Sequence, residues 1–479
     1  IKILNNGEYF ISGLFYDDSV NIHDDTILRA KENTYHPFFS KHKTSSNEVI
    51  WSRYYENSNM NTRYNNIAQY KDSIILSGYF RDSLYLDVDT IVSKGGTRDL
   101  FVYSMKHNGN GQWVRRTYGS SDEGATSLSY DNYGNLFIGG YYRSDDFVID
   151  STSSLISEDT SHNRGNDDLF LHKFNRAGEL QWKKDYGSKG YNWTRSIEEQ
   201  NGIVYMGGHY SDTLIFGLDT LTTDSINDYG VLLGTFDSKG NMLEGISVNG
   251  PGGDDVANTM TVNNQHNVYL GGYFDSESIQ FGDEQFTNPN PGTKVAFIAK
   301  YTPPFNAAFT EKQNISCPGG SDGELTVMPY FGVPSFNYEW VHEGDTLSLT
   351  DSVATGLLAG DYTVIVTDSL GSKDTISTTL TQPDSITFNG EIQVDGVTTD
   401  TLNCYGEENG DIFISPSGGT GSYNYAWSSP EGTGVVLTDQ NQTDLSSGDF
   451  TVEITDENGC TADTTFTIYD PAPVTFEGT

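Results

Sequence analysis

Residues Gly319 to Gly323 read Gly-Gly-Ser-Asp-Gly, the spacing of a nucleophile elbow in which Ser321 would attack an acyl carbon. That chemistry needs a strand before the serine, a helix after it, and a histidine and an acid brought near. The next residues, Glu324 to Val327, are strand-forming, so catalysis at Ser321 is not expected. Aspartate pairs recur at Asp17-Asp18, Asp24-Asp25, Asp145-Asp146, Asp167-Asp168 and Asp254-Asp255. Calcium takes about six to eight oxygen ligands, which such loops could supply, but no EF-hand spacing occurs and an aspartate before a strand commonly caps a turn. Calcium is therefore the one cofactor left open, with no residue assigned to it. The histidines are scattered, with no His-x-x-x-His pattern and no paired cysteines beside them, which argues against zinc. Trp193 and the tyrosine-rich loop tips could stack on sugar rings, although core packing is the commoner fate of such rings. There are three cysteines, Cys317, Cys404 and Cys460, and an odd number leaves at least one unpaired or paired elsewhere.

One further pattern is a tripeptide of aspartate, a hydroxyl residue and an aliphatic residue. It places Ser19, Thr26, Ser73, Ser83, Thr90, Thr213, Thr220, Ser225, Thr346, Ser352, Ser369, Thr375, Ser385 and Thr401 in one local context. An aspartate that closes a turn, followed by a residue that opens a strand, would produce the same pattern without any chemistry.

The elements that carry these residues are repeated strands. Asn135 to Tyr142, NLFIGGYY, is rewritten as YFISGLF from Tyr9, IILSGYF from Ile74, IVYMGGHY from Ile203 and VYLGGYF from Val268. Gly13, Gly78, Gly140, Gly208 and Gly272 are spaced at steps of 62 to 68 residues, a period that signals a repeat architecture. Each copy is short, aromatic and β-branched, as a covered strand should be, and its glycines suit close approach of another backbone. A preceding strand with a polar turn and a following pair, such as Leu100 to Gly119 or Leu169 to Gly187, make four strands per unit. Units of this kind run over 1–55, 66–119, 125–187, 194–250 and 257–301, and the fifth stops without a fourth strand. Serial four-stranded units with aromatic and glycine motifs read as β-propeller blades. Because the chain opens inside a strand and five units with a truncated last one do not close a ring, more blades are expected upstream.

After the prolines of Thr302 to Phe309 a second repeat begins. Cys317 and Cys404, Trp340 and Trp427, Gly360 and Gly448, Asp368 and Asp456, and Pro383 and Pro471 pair at 87 or 88 residues. Alternating short strands with Gly and Asp turns suit immunoglobulin-like sandwiches of this length. The expected layout is blades over 1–302, sandwiches over 303–383 and 384–471, and the start of a further repeat over 472–479, where Pro473 to Thr479 echoes Ser385 to Glu391.

The first half resembles a bacterial propeller repeat of secreted proteins, with its Gly-Gly-aromatic strand and a Gly-x-x-x-Trp strand in which Trp51, Trp113 and Trp182 hold the last position and Leu243 replaces the fourth. The second half resembles the SprB repeat of Bacteroidota surface proteins, with Tyr-x-Tyr-x-Trp, Leu-x-x-Gly-x-Tyr-Thr-Val and a closing Asp-x-x-Gly-Cys. The second module matches at both cysteines, so the resemblance implies a Cys404–Cys460 disulfide, while Ser372 stands where the first module's second cysteine would be and leaves Cys317 without a partner in its own module. The Asp-Ser/Thr tripeptide resembles the O-glycosylation signal of exported Bacteroidota proteins. The family is associated with giant adhesins, gliding motility and type IX secretion.

The charge balance agrees with an exposed protein. The formal net charge of -39 argues against nucleic acid and anionic membranes, and no apolar run is long enough to span a bilayer. The sequence is therefore read as an all-β, extracellular cell-surface protein without enzymatic activity, in which a stalk of sandwiches presents a propeller to a surface glycan or protein ligand. The type IX machinery would be its export partner, and self-association its further option. The alternatives are a filament or sheath subunit, and an enzyme acting on polysaccharides at the propeller axis.

Overall fold

The computed structural model describes residues 2–4, 7–15, 19–23, 26–29, 36–55, 63–149, 163–217 and 219–475. Among them every regular element is a β-strand. The chain divides into two units, Ile1–Pro303 and Pro304–Thr479.

The first unit is a series of five antiparallel sheets. In the fourth, the strands Trp193–Gln200, Ile203–Tyr210, Gly230–Asp237 and Met242–Val248 lie side by side in chain order. The third sheet repeats this with Glu123–Tyr130, Leu136–Tyr142, Asp168–Phe174 and Leu180–Tyr186. The second adds an edge strand borrowed from the next repeat, Val148–Ile149, along Gly111–Tyr118. The fifth has three strands and ends at Val295–Tyr301. The leading strands of the second to fifth sheets, Arg63–Tyr70, Glu123–Tyr130, Trp193–Gln200 and Asp255–Val262, pack one on the next. Between the second and third strands most sheets carry a short hairpin, such as Ser83–Tyr85 with Thr90–Val92 or Thr213–Phe216 with Asp219–Thr222.

The recurring sequence signals have physical counterparts. In the third, fourth and fifth sheets the leading strand bulges opposite the glycine pair, between Ala125 and Ser127, Thr194 and Ser196, and Ala257 and Thr259. A bulge pushes the backbone toward its neighbour. A Cβ on Gly140, Gly208 or Gly272 would stand 1.9, 2.0 or 1.9 Å from the carbonyl oxygen of Gly124, Trp193 or Val256. Only glycine fits there. The tryptophan of each fourth strand reaches the following sheet. Trp51, Trp113 and Trp182 donate their indole N–H to the carbonyls of His107, Arg176 and Ser238, each in the next sheet's outer hairpin, at 3.0, 3.3 and 3.1 Å. In two of those hairpins the turn glycine, Gly178 or Gly240, has positive φ, and a Cβ there would meet the ring of Trp113 or Trp182. The fifth sheet has no such hairpin, which accounts for Leu243 in place of a fourth tryptophan.

The second unit is two sandwiches. The first pairs a sheet of Asn306–Gln313, Gly323–Tyr330 and Val353–Leu357 with one of Asp345–Thr346, Asn337–His342, Gly360–Thr367 and Lys373–Leu380. The second has Val397–Thr398, Thr387–Val394, Gly410–Ser417 and Gln442–Leu445 against Asn424–Ser428, Gly448–Thr455 and Thr461–Ile468. Alternate residues of Gly360–Thr367 and Gly448–Thr455 face inward, and Trp340 and Trp427 are buried, donating their indole N–H to the Asp351 and Asp439 carbonyls at 3.0 and 2.8 Å. In both modules an aspartate clamps the last hairpin. Asp368 accepts the N–H of Leu370 and Ser372, and Asp456 that of Cys460 at 2.8 Å.

The expected Cys404–Cys460 disulfide is not formed. Cys460 is bonded to Cys317 of the first sandwich, with Cα atoms 5.5 Å apart, and Cys404 is a free, exposed thiol. Cys460 sits at the tip of the hairpin Gly448–Thr455 with Thr461–Ile468, whereas Cys404 lies beside Asp470 at the other end of those strands. An eight-residue strand spans roughly 25 Å, far beyond the reach of a disulfide.

Candidate functional site

At one end of the second to fifth sheets of the first unit the residue after the glycine of the second strand is an aromatic ring: Tyr79, Tyr141, His209 and Tyr273. Sheet packing gathers these rings with others from the leading strands and loops. Trp193 stacks on Tyr141 with centroids 4.2 Å apart and planes inclined by 8°. Its indole N–H donates to Asp167 at 2.8 Å, and that carboxylate also takes the Arg143 guanidinium at 2.7 Å. His209 lies between Trp193 and Tyr229, at 5.8 and 4.9 Å. Burial and the neighbouring Arg195 push its pKa down to about 3, so it is a neutral ring at ordinary pH.

Arg195 is the bulged residue of the leading strand, and its guanidinium lies 4.2 Å from the Trp193 centroid. Burial lowers its pKa, and the groups acting against that shift are the phenols of Tyr273, Tyr141 and Tyr229 rather than any carboxylate. Its buried Nε has no hydrogen-bond partner among the described residues. Cations also cover Tyr79 and Tyr273, through Arg98 at 5.1 Å and Lys294 at 4.0 Å. The result is a continuous, half-buried face of flat rings with cations over them, in a chain whose overall charge is strongly negative. Such a face offers stacking area and hydrogen-bond donors to a polar ligand.

The sequence pointed to Trp193 but not to Arg195, Tyr229 or the stacking of Tyr141. The signal that could have found them is the aromatic that follows each glycine pair, read together with the bulge that turns Arg195 outward.

The other sequence candidates are occupied structurally. Asp146 holds Lys94 at 2.6 Å, which keeps its pKa down at about 2. Asp168 accepts the Arg164 N–H, and Asp255 accepts from Ser276. Asp17, Asp18, Asp24 and Asp25 lie outside the described residues. No cluster that could hold a metal occurs among the described residues. Ser321 is exposed in a loop whose Asp322 accepts the Ser316 N–H, with no helix behind it.

The Asp-Ser/Thr residues fall largely at strand starts, including Ser83, Thr90 and Thr213. Ser19, Thr90, Thr213, Thr220, Thr346, Ser369, Thr375 and Ser385 are exposed, while Ser83, Ser225, Ser352 and Thr401 are half-buried. Ser73 is a correction to the acceptor set. It is buried, and its hydroxyl donates to Gln112 at 3.0 Å. The Thr26 side chain lies outside the described residues.

Two further surfaces lie near the truncated fifth sheet. A cavity of about 350 Å³, lined by residues such as Val231, Leu233, Ile246 and Leu270, opens between the fourth and fifth sheets. The last strand, Val295–Tyr301, leaves Ile298 83% exposed on an edge that the other sheets cover with a fourth strand.

Residues 396–432, in the second sandwich, match the SprB repeat family. No curated protein matches the chain. Among solved structures, three N-terminal domains of the bacteriophage RB49 outer capsid protein Hoc are 16% identical over 35% of this chain and 59% of that one, with a TM-score of 0.24. The C-terminal fragment of intimin is 16% identical over 34% of this chain and 64% of that one, TM-score 0.22, and fibronectin(III)-like modules of Clostridium thermocellum CbhA are 13% identical over 34% and 94%, TM-score 0.16. The chain thus spans less than two thirds of the first two. Superpositions this weak carry no argument about role.

Proposed function

We propose that the chain is a non-enzymatic, exported surface adhesin, in which sandwiches of the SprB type form a stalk and the five sheets of the first unit are blades of a β-propeller that carries the binding face. The observation behind this reading is the half-buried Tyr141–Trp193–Arg195 stack at one end of those sheets, in which the Arg195 Nε has no hydrogen-bond partner among the described residues. The SprB match at 396–432 supports an extracellular, adhesin-like setting and export by type IX secretion. The ligand is a surface glycan or a protein that presents flat polar groups to the rings.

The test is binding of the full chain to arrayed polysaccharides and to intact cells of potential partner species, for the wild type and for R195A and W193A. Loss of one stacking or charged contact of this kind is expected to weaken binding about tenfold, equivalent to about 1.4 kcal/mol. R195A, which removes no core ring, should melt with the wild type. Unchanged binding by both variants would refute the assignment of this face.

A further inference from the structure

The two sandwiches are joined in a way that repeats. Cys317 lies in the turn before Gly323–Tyr330, at the end of the first sandwich from which the chain leaves, and the second sandwich brings its hairpin tip, Asp456 to Cys460, onto that turn. Asn458 adds a hydrogen bond from its side-chain amide to the Ser316 carbonyl at 3.0 Å. Ser316, Cys317 and Pro318 are half-covered as a result.

The second sandwich carries the same turn at the same end. Gly319 and Gly406 share positive φ, at 72° and 80°. The N–H of Gly320 donates to the Cys317 carbonyl at 2.9 Å, and that of Glu407 to the Cys404 carbonyl at 3.3 Å. The exit strands cap both turns alike, since the Gly319 N–H donates to the Gln382 side chain at 2.8 Å and the Gly406 N–H to Asp470 at 3.0 Å. Ile315 and Leu402 are buried beneath them. One difference remains. Asn403, Cys404 and Tyr405 are exposed, and Tyr405 presents 63% of its surface.

We propose that the Cys404 turn is a docking socket for another sandwich of this type, entering directly after the second, whose Asp-x-x-Gly-Cys hairpin tip covers Tyr405 and forms a disulfide with Cys404. The occupant is identified by what fills the equivalent socket around Cys317, and by Pro473 to Thr479, which restarts the module text of Ser385 to Glu391 where such a module would enter. The array is then stapled in one register, the exit turn of each module to the hairpin tip of the following one. Forming the bond removes one proton from each thiol and two electrons in all. A disulfide oxidant takes them up by thiol–disulfide exchange and leaves as two thiols. The inference does not rest on the ligand face of the first unit.

The test lengthens the full chain by a second copy of residues 384–471 that carries C404S, placed behind position 471, made in an oxidising compartment and mapped by non-reducing peptide mass spectrometry. The expected result is a crosslink between the Cys404 peptide and the hairpin cysteine of the copy, with Cys404 no longer alkylated by iodoacetamide, whereas in the parent chain Cys404 alkylates fully and Cys317 and Cys460 do not. In the lengthened C404S chain the hairpin cysteine of the copy should become alkylable. A second lengthened chain carries a copy of residues 304–383 with S372C, which puts the tip cysteine on a different module and covers poor folding of the first copy. Cys404 alkylating in both lengthened chains as it does in the parent, or bonding instead to Cys404 of a second molecule, would overturn the proposal.

Discussion

Asp99, Glu123 and Asp168 stand at the first positions of strands in the second and third sheets, and none has measurable exposure. Asp99 accepts the Lys94 N–H at 2.8 Å and Asp168 the Arg164 N–H at 2.8 Å, so each ties a loop to its strand as a hydrogen-bond acceptor. Burial raises the pKa of all three, that of Asp168 to about 7, and proximity of Asp99 and Glu123 raises Glu123 further. A raised pKa means that the folded chain holds the proton more tightly than the unfolded one. Their contribution therefore favours folding fully below the ordinary carboxylate range and is lost as pH climbs from about 4 through about 7. We expect the first unit to lose roughly 1–3 kcal/mol of stability between about pH 5 and about pH 8. E123Q, which cannot ionise, should flatten that slope and raise the melting temperature at the upper pH. Denaturant melts across pH check this, and an equal slope in wild type and E123Q would remove these carboxyls as its source.

At the scale of elements, neighbouring modules of each kind are linked through one residue at the end of a hairpin. In the first unit the residue is a tryptophan whose N–H crosses to the next sheet's turn, and the glycine at that turn is the space the ring fills. In the second unit it is the hairpin cysteine. A bond that closes 143 residues restricts the unfolded chain strongly, and removing it costs about 2–5 kcal/mol. C460S or reduction should therefore lower the melting temperature of the second unit, and C404S should leave it unchanged. Calorimetry of the two variants separates this connectivity from an intramodule bond, which would make both substitutions costly. Repeat position alone does not fix a disulfide, because the two cysteines of one motif lie at opposite ends of an eight-residue hairpin.

The chain is strongly acidic, with a net charge of -39, and the face of rings and cations on its first unit stands out against that background. Self-repulsion of this size keeps such a protein dispersed. The exposed Asp-Ser/Thr residues, among them Thr90, Thr213, Thr346 and Ser385, are spread over both units. If they are modified, protein from its native source will exceed the mass of its polypeptide, with the added sugar mapping to those peptides and absent from Ser73. An intact mass equal to the bare chain would show that the pattern records only turns and strand starts.

The period of the glycine pairs, the four-stranded core of the third and fourth sheets and the missing fourth strand of the fifth were legible in the sequence, because strand burial and close backbone approach act locally and leave a spacing behind, whereas the short hairpins between second and third strands were read only as polar loops. The glycines needed at Gly140, Gly208 and Gly272 followed from the same logic. Tertiary structure alone decided which cysteine meets Cys460, that Ser73 is buried, and that Arg195 lies over Trp193 without a carboxylate partner. Those facts depend on how one module lands on the next and on a bulge that turns a single side chain, and neither is written in the period of any one strand.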